Sequence, residues 1–198
     1  SDPTQTALRP SSSAALRRAA ALGRMTLTEL GVGLDGDLFW FNLTTATAKD
    51  ARSGWLQHPA FRRAVAHAVN RDTFADVVYL GAAVPGYTVV SPGNKEWHTD
   101  TPAPRYDVGE AKRLLASLPL SDRIGDGTLH DRDGVPVRFA LLTQKGNTSL
   151  ERGAAVIRDS LAPLGIRVDV VELEVGALVQ HLIKGDYDAA YFRLVTTD

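Results

Sequence analysis

Residues 166–195 read IRVDVVELEVGALVQHLIKGDYDAAYFRLV, and the changes of period within that stretch decide the fold. Ile166, Val168 and Val170 alternate with Arg167 and Asp169, the period of two that a strand requires. From residue 176 to Lys184 the apolar residues fall at helical spacing, and Gly185 supplies the stop. Alternation returns from Tyr187 onward. Upstream, Val135, Val137, Phe139 and Leu141 alternate in a strand ending near Thr143. Residues 149–164 then place Leu150, Ala154, Ile157, Leu161 and Leu164 on one helical face before Gly165. A strand-helix-strand-helix-strand order implies right-handed crossovers and a mixed, mostly parallel sheet flanked by helices, which is an α/β fold.

Working back towards the N-terminus, YDVGEAKRLLASL predicts a helix capped by Asp107, with Glu110 completing a capping box and Ala111, Leu114, Leu115 and Leu118 as its stripe. HDRDG at 130–134 suits a hairpin turned at Asp133-Gly134 far better than a calcium loop, because the later ligands of such a loop are missing. Residues 82–104 carry repeated Gly and Pro and are expected to lack regular structure. In FRRAVAHAVNRDTF, residues 61–74, Phe61, Ala64, Val65, Ala68 and Val69 form one apolar stripe behind Pro59. A second helix, capped by Asp72 and carrying Phe74, Val77, Val78 and Leu80, should follow and end at Gly81. Residues 44–57 read as loop. MTLTELGVGLDGDLFWFNL reads as two strands about a turn at 33–36, and Ser11–Leu22 as a short helix stopped by Gly23.

The same arginine-rich stretch could be a nucleic-acid reader or the wet side of a helix. Lysine and arginine total 22 against 23 acidic residues, and Asp72 and Asp76 interrupt the basic face. That balance argues against polyanion binding, so Arg62, Arg63 and Arg71 are expected to form a solvated face. No cysteine is present, which removes disulfides, thiolate metal sites and cysteine nucleophiles. No apolar run is long enough to span a membrane. His58, His67, His98, His130 and His181 show no metal-ligand spacing, no phosphate-binding glycine loop or nucleophile elbow occurs, and no carboxylate pair stands in an apolar setting. No metal, cofactor or enzymatic activity is expected. Trp40 reads as core; Trp97, in the Gly/Pro-rich segment, is equally suited to stacking on a ligand.

The order of these segments is specific. FWFNLTT with Asn42, the helix pair with Ala64, Ala68, Asn70 and Arg71, the helix opened by Tyr106 and Asp107, then GVPVRFALLTQKGN and the closing stretch from 157 resemble the family 5 extracellular solute-binding proteins. The resemblance covers residues 38–198, with 1–37 as an entry helix and hairpin. It implies one lobe, the C-terminal one, of a type II periplasmic-binding-protein-like clamshell, with residues 1–198 as a single lobe of a longer two-lobed protein. It further implies a monomer outside the cytoplasm, its export signal lying beyond this sequence, that captures a peptide-like solute and hands it to an ABC permease in the membrane.

Ligands of open α/β sheets bind beyond the carboxyl ends of the strands. Those ends nominate Thr143, Gln144 and Asn147, with Trp97 as a stacking surface. Asp198 falls about where peptide-binding relatives hold the ligand's α-amino group, although RLVTTD replaces their GW-x-x-D pattern. Two other classes fit the same fold: the sensing domain of a regulator, and a stand-alone α/β enzyme. A DNA-binding or signalling domain in the full gene would mark the first; a gene ending near Asp198 would mark the second.

Overall fold

The computed structural model describes residues 10–28, 30–44 and 53–194. The chain divides into two compact units, one of residues 1–36, 71–101 and 195–198, the other of 37–70 and 102–194.

The larger unit is built on a four-stranded sheet in the order β1-β4-β2-β3, where β1 is Gly36–Phe41, β2 Arg138–Gln144, β3 Arg167–Leu173 and β4 Ala189–Leu194. β2 pairs in parallel with β3 from Arg138↔Arg167 to Gln144↔Leu173, and with β4 at Leu141↔Ala189 and Leu142↔Ala190. The end of β1 meets the start of β4, where the Asn42 N–H donates to the Asp188 carbonyl at 2.8 Å. Its beginning meets the end of β4, where Asp37 pairs with Arg193, so β1 runs antiparallel. The sheet is therefore the mixed, mostly parallel one expected.

The periodic segments fold as their spacing dictates. Helix α6, Thr148–Leu161, continues into a 3₁₀ turn at Ala162–Leu164 and stops at Gly165 with φ 76°, burying Leu150, Gly153, Ala154, Ile157 and Leu161. Helix α7, Val175–Lys184, ends at Gly185 in the left-handed region. Helix α5, Val108–Ala116, is capped by Asp107, whose side chain accepts the Glu110 N–H. The reciprocal half of the capping box does not form. Glu110 instead takes Arg113 in a bidentate pair at 2.6 and 2.7 Å, which holds its carboxyl below the usual range, and the Asp107 N–H goes to the His67 carbonyl. Helix α3, Pro59–Ala68, buries the expected Phe61, Ala64, Val65 and Ala68. At 130–136 the turn is present as single antiparallel bridges, with the Asp131 carboxylate accepting the Asp133 and Val135 N–H groups at 2.9 and 2.8 Å.

Several expectations change. Residues 53–56 are not loop: they form a short helix, α2, whose Trp55 and Leu56 are buried, the indole packing 4.9 Å from the Phe61 ring. Trp55, not Trp40, is the core tryptophan. Trp40 is half-buried in β1 and donates to the Tyr187 hydroxyl at 3.1 Å. The arginines are not merely solvated. Arg63 is exposed, but Arg62 donates to the Gln57 carbonyl, and Arg71 lies 5.2 Å from the Tyr87 ring centre, half-buried, with desolvation lowering its pKa.

The other changes fall in the smaller unit. Its first helix, α1, Pro10–Ala21, is close to expectation, with Gly23 at φ 69°. No first strand precedes β1 among the described residues. Residues 32–33 are instead gripped by the 91–93 loop. The Ser91 hydroxyl donates to the Gly33 carbonyl at 2.5 Å, and a Cβ on Gly93 would lie 2.1 Å from the Val32 oxygen. Backbone held by that contact is not available for a hairpin ladder. Helix α4, Arg71–Tyr79, buries Ala75, Val78 and Tyr79, a face turned away from the expected one, leaving Val77 and Leu80 exposed. It begins at Arg71, which places Asp72 inside the first turn rather than at the cap. As expected, residues 82–104 contain no helix or strand.

Asn42 ties the larger unit together. At 2% exposure its amide donates to the Gly185 and Tyr187 carbonyls, both at 2.8 Å, and its oxygen accepts the Thr44 N–H at 3.1 Å. Truncating it strands three polar backbone groups, so Asn42→Ala is expected to cost about 2–3 kcal/mol, the range for unsatisfied buried groups. Chemical denaturation measures it; a loss under about 0.5 kcal/mol, the size of an ordinary surface substitution, would remove Asn42 from this role.

Candidate functional site

The carboxyl ends of β2, β3 and β4 lie on one edge of the sheet, and that edge holds three of the residues nominated from the sequence, Thr143, Gln144 and Asn147. Thr143 is fully buried and its hydroxyl donates to the Tyr191 carbonyl at 3.0 Å, so it joins β2 to β4 instead of facing solvent. Gln144, the last residue of β2, is half-buried. The next residue's N–H continues the ladder by donating to the Leu173 carbonyl at 2.8 Å. Gly146, at φ 78°, turns the chain into α6. Asn147 caps that helix, its carbonyl oxygen accepting the Leu150 N–H at 3.3 Å, while Glu151 reaches back to the Gly146 N–H at 2.7 Å. The cap leaves the Asn147 amide nitrogen as its donor. Gln144 and Asn147 thus share one loop beside a helix N-terminus, whose dipole favours negative charge.

Three residues on the same edge escaped the sequence reading. Arg193 and Asp37 form a bidentate pair at 2.7 and 3.0 Å, with the Asp37 side chain only 10% exposed. Between them and α6 lies Tyr191, whose hydroxyl is pushed well above its ordinary pKa, first by burial and then by the Asp37 charge, with Arg193 opposing. Its ring occupies the space above Gly153, where a Cβ would come within 2.5 Å of it. The pair spans 156 positions, beyond what local spacing can reveal. The one signal was an arginine inside an otherwise apolar strand.

Trp97 is 72% exposed. It borders a groove of about 250 Å³ with Leu34, Val89, Val90, Ser91 and Asn94, and the Asn94 side chain accepts its backbone N–H at 3.1 Å. All six residues belong to the smaller unit. Asp198 lies outside the described residues. A second cavity, about 280 Å³, opens near Arg138, Asp169 and Asp188, by the amino end of β2 and away from the carboxyl edge.

Among the described residues Asp122, Asp126 and His130 bring metal-ligating atoms within 4.8 Å of one another. Both Asp122 oxygens accept loop N–H groups, from Gly125 at 2.8 Å and Gly127 at 3.0 Å. Asp126 accepts from Thr128, a bond that holds its carboxyl below the usual range. These carboxylates close their own loop.

Comparison with known proteins places this geometry. The profile of the bacterial extracellular solute-binding proteins, family 5 Middle, matches residues 6–197. The oligopeptide-binding protein AppA of Bacillus subtilis is 32% identical over 129 residues, 64% of this chain and 24% of its own. A probable ABC transporter-binding protein of Deinococcus radiodurans is 32% identical over 111 residues, 56% of this chain and 19% of its own. The chain therefore spans a quarter or less of these relatives' length. Among solved structures, AppA in complex with a nonapeptide superposes with a TM-score of 0.72 at 27% identity, covering 83% of this chain and 32% of that one. NikA from Brucella suis in complex with Fe(III)-EDTA shares the fold, with a TM-score of 0.73 at 21% identity, covering 94% and 35%.

The ion pair at the sheet edge generates a test. Asp37→Asn keeps the shape and removes the charge facing Arg193, so stability should fall by about 1 kcal/mol, the value of a charge-assisted bond discounted for the partly exposed guanidinium. Urea denaturation reads the loss. Stability equal to that of the parent protein would show that the pair contributes nothing to holding β1 on β4.

Proposed function

The chain belongs to the bacterial extracellular solute-binding proteins of family 5, and from that premise we propose that it is the ligand-binding lobe of a longer extracytoplasmic protein that captures a peptide-like solute for an ABC import permease. The family's members are substrate-binding proteins of transport rather than catalysts, and its name places them outside the cytoplasm. In this reading residues 1–198 belong to one lobe, the working protein is a monomer, and its location is periplasmic or otherwise extracytoplasmic.

The observation that carries the reading is the loop at residues 144–147 on the carboxyl edge of a parallel sheet, the place where open α/β sheets take ligands. Gln144 and the Asn147 amide supply hydrogen bonds to the solute. Thr143, its hydroxyl committed to β4, fixes the loop from below. Trp97 offers an apolar face for stacking, and Asp198 supplies a carboxylate for a cationic group such as a peptide amine. A peptide-like solute is favoured by the similarity to AppA, whose structure holds a nonapeptide. Against a free choice of peptides stands Arg193, in the stretch where the peptide-binding pattern is broken.

Calorimetry on the full-length protein with a mixed oligopeptide pool tests this. Binding at micromolar Kd or tighter is expected. Asp198→Asn and Gln144→Ala should each weaken it tenfold or more, about 1.4 kcal/mol, with folding intact. Residues 1–198 alone, lacking the opposing contacts that enclose a solute, should bind weakly or not at all. Undiminished affinity in either variant would remove that residue from the site, and tight binding by residues 1–198 alone would overturn the one-lobe reading.

A further inference from the structure

Strand β4 has the sequence AAYFRL, and Arg193 is its single charge. A cation on a central strand is unfavourable unless its surroundings replace the water it gives up. Arg193 stands next to last in β4, at the carboxyl edge where open α/β sheets take their ligands. It leaves the strand on the same face as Tyr191, two places earlier, whose ring packs over Gly153 of α6. The guanidinium therefore lies on the side of the sheet where α6 begins and where Asn147 caps it.

The pair with Asp37 does not account for the whole cation. Both Asp37 oxygens lie against one edge of the guanidinium, 2.7 Å from Nε and 3.0 Å from Nη2. A guanidinium carries five N–H donors in a rigid fork. The two side chains are also unequally covered, Asp37 at 10% exposure and Arg193 at 38%. A nearly buried carboxylate thus fixes the plane of a cation that still reaches solvent.

We propose that Arg193 is the specificity-determining contact of this lobe and that it takes a carboxylate of the solute. The planar fork matches a carboxylate's two oxygens, which no neutral group at this edge can do. The N-terminus of α6 opens on the same edge, and its dipole also favours negative charge. Because Asp37 already fixes the guanidinium, little freedom is lost when the solute docks. The inference rests on the solute-capture reading above and narrows it: the favoured peptide carries an acidic side chain or a free C-terminal carboxylate.

Calorimetry on the full-length protein with random oligopeptide libraries tests this. One library is C-terminally amidated and lacks Asp and Glu, a second is amidated but contains them, and a third lacks them but ends in a free carboxylate. The second or third is expected to bind about tenfold tighter than the first, and which one does so tells side chain from terminus. In Arg193→Gln the preference should vanish. That variant leaves Asp37 unpaired, so the double variant Asp37→Asn/Arg193→Gln, with no stranded charge, is measured beside it and should lose the preference too. Equal affinity for all libraries in the parent protein, or a preference kept by the double variant, would overturn the proposal while leaving solute capture intact. If no library binds, citrate decides. Citrate binding that both variants lose would support Arg193 as a carboxylate contact and count against a peptide solute; no citrate binding would overturn the proposal as well.

Discussion

The larger unit depends on how the chain is held between α7 and β4. That turn must end a helix, reverse direction and start a central strand, and it does so with backbone groups that no regular ladder can satisfy. Asn42 settles the matter from the end of the neighbouring strand β1, with one buried amide satisfying two carbonyls of the turn and one N–H of its own segment. Asp188 completes the arrangement: its carboxylate accepts the Ala140 N–H at 2.8 Å, extending the β2–β4 register below the first strand residue. An amide that both donates twice and accepts is needed here. Aspartate would offer no donors, and leucine neither donor nor acceptor. An asparagine after an aromatic strand is thus a physical requirement of the antiparallel edge strand.

The same economy operates at the carboxyl edge. Thr143, Tyr191, Asp37 and Arg193 are engaged with one another or with backbone, and Gly153 is small because the Tyr191 ring needs its space. Their mutual satisfaction ties the edge together beside the neighbouring loop, where Asn147 is itself held by the cap it makes. Preorganised polar groups lose little freedom on binding, which is what the solute contact proposed for this loop would require.

Much of this was legible beforehand because it rests on short-range periodicity. β2, α6, β3, α7 and β4 each announce themselves by period, cap or glycine stop, and a strand-helix alternation leaves little choice of topology. What failed did so where a distant contact overrode a local pattern. Residues 25–32 have strand-like composition, but the 91–93 loop takes the backbone at 32–33. Trp55 sits in a polar stretch and is nonetheless core, since Phe61 receives it. In α4 the buried face is set by Ala75, Val78 and Tyr79, and Leu80, at φ 54°, lies beyond the helix with Gly81. At the candidate site the loop was found and the ion pair missed, for the same reason: Gln144 and Asn147 lie next to a strand end, whereas Asp37 and Arg193 meet only once the sheet has formed.

The arginines of residues 61–74 carry this lesson furthest. As a string of letters they suggest a polyanion surface, and as an amphipathic pattern a solvated face. In the structure two of the three have particular tasks. Arg62 closes the carbonyl at Gln57, and Arg71 lies against Tyr87 where burial lowers its pKa, a cost repaid by the ring's electron-rich face. Guanidinium groups committed in this way are not displayed for a phosphate backbone, which rewards several exposed cations at once. Of the three only Arg63 is exposed, so this stretch displays a single cation rather than a continuous basic face.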